Sequence, residues 1–194
     1  MTLRQFFLFG FVLYAACKNS SHSPATKPAP AEAHHYIPVN GYLLDEIHNA
    51  DSLPIGFEKL VTVGDKTDSS YVTTAVFDIF SRQFLCKELE LPGFEEAYFE
   101  STFLDETTNT INFNYEARDS TSSLQRVDVI FNQQKGTNRI SSVYMEKVEH
   151  AGDTLILKKM LWRTRTSCQV IASKRIAHFP ERTKVEKLVW GSEN

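Results

Sequence analysis

The sequence predicts an α+β domain in which two N-terminal helices and a hairpin pack on a long antiparallel meander sheet, with a half-barrel as the strongly curved form of that sheet. Three observations carry this expectation. Val76, Ile79, Phe80, Gln83, Phe84 and Lys87 recur at i, i+3, i+4, i+7 spacing, the mark of an amphipathic helix. After Pro92-Gly93 the period changes to two: Ile111, Phe113, Tyr115 and Ala117 alternate with Asn112, Asn114 and Glu116, as in a half-buried strand. The connections between such runs are short, and a parallel crossover needs about a dozen residues, so consecutive strands are antiparallel neighbours.

The chain opens on an export signal. Arg4 is the only charge in residues 1–16, Phe6 to Tyr14 is an uncharged apolar run, and Ala15-Ala16 stand before Cys17. A spanning helix needs ~20 apolar residues, and this run is interrupted by Lys18-Asn19-Ser20-Ser21 too early. The stretch Leu13-Tyr14-Ala15-Ala16-Cys17 resembles the lipobox of bacterial lipoproteins, with Tyr14 in the place of the usual Leu. That resemblance implies cleavage after residue 16, a diacylglyceryl thioether on Cys17, and stable attachment to a bilayer through two or three acyl chains. Residues 17–35 are then the lipidated Cys and a tether rich in Ser, Pro and Ala, too polar to repay the entropy of ordering and able to reach about 55 Å when extended. His22, His34 and His35 lie in this stretch without Cys or carboxylates at ligand spacing, so a metal site is not read there.

Residues 36–194 are expected to form one globular domain. Asn40 is read as the cap of a first helix with Tyr42, Leu43 and Ile47 on one stripe, ended by Asp51-Ser52-Leu53-Pro54. Residues 55–63 and 68–72 flank Gly64-Asp65-Lys66-Thr67 as a hairpin. Thr73 or Thr74 caps the second helix. Strands are then expected over residues 98–104, 111–117, 124–131, 139–148, 154–163, 167–176 and 183–190, a meander of six or seven strands.

Composition sets the broad class. Removing residues 1–16 leaves 178, one ordinary domain, and 42% apolar with 23% charged residues is globular. Loss of Arg4 takes the net charge from −3 to about −4, which gives no reason to invoke nucleic acid. Charge is unevenly spread: residues 40–137 hold seven Lys or Arg against seventeen acids, and residues 138–194 hold eleven against six. One explanation pairs acidic early elements with basic late ones across the sheet. The other is a basic surface, with Lys159, Arg163 and Arg165 as the candidate face for an acidic partner or anionic headgroups, drawn from a wider set that includes Lys158, Lys174 and Arg175. For Cys86 and Cys168, an oxidising envelope makes a disulfide one reading and two buried free thiols the other.

The chain carries no nucleophile elbow, zinc-protease motif, C-x-x-C, phosphate loop or dinucleotide turn, and no cofactor is expected. Asp105, Glu106 and Asn109 are a weak cation candidate in a turn; His48, His150 and His178 are isolated. The segments Thr107 to Tyr115, Gln125 to Val129 and Ser142 to Lys147 resemble a group of small, uncharacterised bacterial lipoproteins, a resemblance that covers most of residues 36–190 and carries no functional residue with it. The function expected is a non-enzymatic envelope lipoprotein that binds an apolar ligand or an envelope protein, held at the outer membrane and facing the periplasm. The alternatives are an envelope hydrolase with an unfamiliar Asp/Glu/His site and a structural subunit of an envelope assembly.

Overall fold

The structure, a computed structural model, describes residues 37–134 and 137–191. The expected export signal, Cys17, and the stretch expected to be a tether, with His22, His34 and His35, lie outside the described residues. The element order is α1 (Val39–Asp51), β1 (Phe57–Val63), β2 (Lys66–Val72), α2 (Thr74–Ser81), two 3₁₀ turns (Arg82–Phe84 and Lys87–Glu90), α3 (Phe94–Ala97), then β3 (Tyr98–Asp105), β4 (Thr110–Ala117), β5 (Leu124–Gln134), β6 (Thr137–Ala151), β7 (Thr154–Arg163), β8 (Ser167–Ile176) and β9 (Arg182–Val189).

All nine strands form one open antiparallel sheet in the order β2-β1-β9-β8-β7-β6-β5-β4-β3. The expected meander is β3 to β9. Two parts of the expectation need correction. The helices have 13, 8 and 4 residues, so the domain is mostly β and not a balanced α+β fold. The hairpin does not pack on the sheet; it extends it, because β1 pairs with the C-terminal strand β9, Glu58 facing Val189 and Val63 facing Lys184. Half-buried Leu60, Val61 and Thr62 are better satisfied beside another strand than lying on one. The β1–β2 and β6–β7 loops are two residues long, and Gly64 and Gly152, each at φ 59°, supply the left-handed backbone that such tight loops require.

This order forces one connection to be long. The chain leaves β2 at one edge and must begin β3 at the other, eight strand spacings away, about 38 Å at ~4.8 Å per strand. Residues 73–97 make that journey as a helical strap lying across one face. Its apolar side chains meet the sheet in sequence: Phe77 stacks on Phe57 of β1 with centroids 4.1 Å apart, Phe84 meets Trp162 of β7 edge-on at 5.3 Å, and Phe94 stacks on Tyr98 of β3 at 4.2 Å. Strand alternation sends Leu188, Cys168, Trp162, Val143 and Val129 to this covered face, with Val170, Met160, Met145, Val127 and Tyr115 in the next row. These ten are all buried. Helix α1 closes the rest with Val39, Leu43, Ile47 and Ala50.

Both helices sit differently from their sequence reading. Asn40 caps nothing: it is buried in the first turn of α1, where its Nδ2 donates to the Cys86 carbonyl at 2.8 Å and its Oδ1 accepts from the Cys86 amide at 3.1 Å, tying α1 to the strap. In α2 the buried residues are Phe77, Phe80 and Ser81, continued by Phe84, whereas Val76 and Ile79 are 38% and 73% exposed. Phe77, Phe80 and Phe84 also stand at helical spacing, and three rings of ~150–250 Å² each outweigh the burial offered by Val76 and Ile79. Accordingly, Phe77→Ala should cost about 3–5 kcal/mol in urea denaturation. Ile79→Ala should change stability by no more than about 0.5 kcal/mol. Equal costs would contradict the rotation of α2.

Candidate binding surface

The ring and sulfur contacts of the strap all reach covered-face residues, so among the described residues the opposite face of the sheet is left open. Alternation and register set what this open face displays. One row runs Glu116, Arg126, Glu146, Lys159, Ile171, Val185 from β4 to β9; the next runs Asn114, Asp128, Tyr144, Leu161, Gln169, Lys187. Toward the β6–β7 loop the face becomes more apolar, with Val148, Leu157 and Ile171 half-buried.

The polar half of this face is held in a fixed geometry. Asp128, only 7% exposed, accepts from Arg126 Nε at 3.0 Å on both oxygens and from Asn114 Nδ2 at 2.5 Å. Tyr144 donates to Glu146 Oε1 at 2.5 Å, and Lys159 Nζ stands 3.9 Å from the same oxygen. Burial, then the hydrogen bond and charge of Glu146, push the Tyr144 phenol well above its ordinary value, so it remains a donor at any physiological pH.

Of the three candidate cationic residues, the structure brings two together. Lys159 and Arg163 are exposed on β7 and both project from the open face, across from Glu146 and Ser142. Arg165 does not join them. It lies in the β7–β8 turn at φ 61°, and its amide donates to Glu46 of α1 at 2.9 Å, which tethers its backbone toward the helix. Lys158 and Lys174 point to the covered face, where Lys158 pairs with Glu149 at 2.8 Å.

The expected cross-pairing of acidic early with basic late elements is not what the described ion pairs do. Arg126–Asp128 and Arg82–Asp78 join residues of the early part; Lys158–Glu149, Lys159–Glu146, Arg175–Glu181 and Lys184–Glu186 join residues of the late part. Lys59–Glu186, at 2.9 Å, crosses in the opposite sense. Because β6 to β9 are adjacent in the sheet, the excess of base in the sequence becomes an excess of base in one region of the fold.

A second feature is a groove of about 320 Å³ between the strap and the start of β5, lined by Glu88, Pro92, Phe94, Tyr98 and Ser123 among others. The Ser123 hydroxyl donates to Glu88 Oε1, and Oε2 is buried without a partner among the described residues. Burial, which alone would raise the Glu88 carboxyl, is outweighed by Ser123, its own backbone and Lys147. None of His48, His150 and His178 lines this groove. They sit on α1, β6 and the β8–β9 turn.

Other candidates resolve individually. Cys86 and Cys168 are buried free thiols in this structure, on different elements. Cys86 belongs to the strap, with its Sγ 3.7 Å from Met145 Sδ of β6, while Cys168 lies in β8 opposite Trp162 and Leu188. Burial pushes the Cys86 thiol up to about 11 and Cys168 higher still, so neither is a nucleophile at neutral pH. Asp105 spends its carboxylate on the amides of Thr107 and Thr108, at 2.8 and 3.3 Å, and Asn109 on the Gln133 carbonyl, so that turn serves its own backbone. Among the described residues no group of three or more His, Cys, Asp or Glu could hold a metal ion, and no helix is long and apolar enough to cross a membrane.

Glu186 carries a pH dependence. Burial alone would raise its carboxyl, but hydrogen bonds from Lys59 and Lys184, with their charges, hold it below the ordinary glutamate value. A depressed folded value stabilises the fold above the ordinary value and loses that contribution as pH falls through the folded one. Glu186→Gln should therefore remove up to about 1 kcal/mol of stability at pH 7 and almost none near pH 2, read by urea denaturation at both. A loss of the same size at both pH values would show that the pairing is not electrostatic.

Compared with protein-family models, curated proteins and solved structures, the chain matches none.

Proposed function

We propose that this chain is a bacterial envelope lipoprotein without catalytic activity that presents the open face of its sheet to a protein partner. The observation that carries this reading is the contrast between the two faces. One is filled by the strap and α1, with Trp162, Met145 and Met160 wholly inaccessible. The other is a broad platform whose apolar part, around Leu157, Leu161 and Ile171, adjoins the cations Lys159 and Arg163. Filling of the covered face speaks for a protein partner over an apolar ligand lodged against the sheet. Exposed cations at the platform's border favour a partner with acidic groups there.

The lipobox-like residues before Cys17 support anchoring, and the polar stretch after it supports a tether; the outer membrane, facing the periplasm, is the location this reading implies. A half-barrel wrapped around the strap accords with cover on a single face and with the register shifts in β5 at Leu124/Arg126 and Ile130/Phe131, since bulges bend a sheet. The Glu88–Ser123 groove does not carry the hydrolase alternative, because the Glu88 carboxylate that accepts from Ser123 is held below its ordinary value and is a weak base, and no histidine lines the groove.

The test uses the full chain expressed in a Gram-negative host. Mass spectrometry of the membrane fraction should find acylated Cys17 as the first residue, and Cys17→Ser should abolish membrane attachment. A photo-crosslinking amino acid at Leu161 should give a discrete protein adduct that the Lys159→Glu, Arg163→Glu pair weakens about tenfold, the effect of ~1.4 kcal/mol. The same probe at Ile79, on the far side of the molecule, should give none. An unprocessed chain in the cytosol, or a platform that captures nothing in the envelope, would overturn the reading.

A further inference from the structure

The geometry points to β3 as a self-association edge: two copies of this chain pair their β3 strands antiparallel about a two-fold axis at Ser101. The two edges of the sheet differ. β2 carries Lys66, Thr67, Asp68, Ser69 and Ser70, the charged and polar chemistry that keeps an open edge from pairing. β3 reads Tyr-Phe-Glu-Ser-Thr-Phe-Leu-Asp, with no proline and no register shift against β4. Its Phe99, Phe103 and Leu104 are 56%, 66% and 50% exposed.

The backbone fixes which pairing this edge accepts. The Arg118 amide donates to the Ala97 carbonyl at 2.9 Å, and those residues stand opposite each other when the β3–β4 register is continued by one position. Residues 97, 99, 101, 103 and 105 therefore turn their amides and carbonyls toward β4, while 98, 100, 102 and 104 turn theirs to the unpaired side. A second β3 must meet even-numbered residues with even-numbered ones. A two-fold axis at Ser101 does this over the longest stretch: Tyr98 faces Leu104 of the second copy, and Glu100 faces Thr102. Those four pairs form about eight hydrogen bonds, two for each. Moving the axis to position 100 sets like charges opposite each other, and moving it to 102 sets Phe99 against Asp105.

The same register places the aromatic side chains. Phe99 faces Phe103 of the second copy, and Phe103 faces its Phe99, at positions without backbone bonds, where opposed side chains come closest. Their equal distance from Ser101 suits a two-fold partner, and Arg118, 3.8 Å above the Phe99 ring, steadies that side chain at the edge. The tether cannot supply an equivalent strand, because Pro24, Pro28 and Pro30 lack amide donors. Four rings more than half exposed would bury on the order of 450 Å² of apolar surface. Even with the strand backbone added, that is near the lower limit of about 1,000 Å² for specific association, so the dimer is weak, with a Kd on the order of 10 µM.

The test uses the full chain in detergent. Ser101→Cys should form a covalent dimer under mild oxidation, linked through position 101, since the facing Cα atoms would be about 4.5 Å apart, within disulfide reach. Glu100→Cys should not link to itself, because position 100 faces 102. Sedimentation equilibrium of the unmodified protein should show reversible dimerisation that Phe103→Lys lowers at least tenfold without altering the thermal melt. A wild-type chain that stays monomeric at about 100 µM, or equal linkage at positions 100 and 101, would overturn the proposal. Neither readout depends on lipidation or on the platform partner, so each can fail independently of the function proposed above.

Discussion

The packing of the strap on one face of the sheet is the constraint from which the rest of this fold follows. An open sheet of this breadth has two faces to stabilise, and the chain spends its one long connection on a single, apolar one. Phe77, Phe84 and Phe94 mark successive footholds from one edge to the other, so the connection also fixes how far apart the edges lie. Asn40 then locks α1 onto the strap by satisfying both backbone groups of Cys86, which stands between the two 3₁₀ turns. A side chain in this role stabilises by leaving no buried peptide group unpaired, and losing it would cost more than the bond itself is worth.

With one face occupied, the other has to be stabilised by what lies within it. Its half-buried aliphatic residues shelter one another across strands, and its ionic groups are arranged with alternating sign along a row, Glu116, Arg126, Glu146, Lys159, so that each strand meets an opposite charge on its neighbour. Such a row contributes only tenths of a kcal/mol per pair but discourages slippage, because a shift in register would oppose like charges or turn the face inward. The same restraint holds side chains such as Tyr144 ready at the surface, with little rotamer freedom left to lose on contact.

Much of the fold was legible in the sequence, and the exceptions have identifiable causes. The strands over residues 154–163 and 167–176 emerge with their expected bounds, because alternation and turn residues are local signals. Partnering is not local: nothing near Leu60 or Val185 announces that β1 and β9 lie side by side. The helix expected to run from Thr74 to Lys87 ends at Ser81 and gives way to 3₁₀ turns, and its orientation was not legible, since two overlapping stripes each had helical spacing and only the packing of three phenylalanines against the sheet chose between them. For the candidate surface, alternation along β7 correctly placed Lys159 and Arg163 together, and it failed at Arg165, where the strand had already ended. The partners of those cations, Glu146 and Ser142, depend on cross-strand register, as does the Asn114–Asp128–Arg126 cluster, and no spacing rule within one strand contains that information.

The union of β1 with β9 bears on how the molecule is made. Glu58 and Val189 stand side by side although almost the whole domain separates them along the chain. During synthesis the β1–β2 hairpin must wait, with one of its sides unsatisfied, until β9 arrives. Contacts of such high sequence separation slow folding. The domain therefore acquires its full sheet only when it is complete, and the interval before then is when a holding chaperone has most to do.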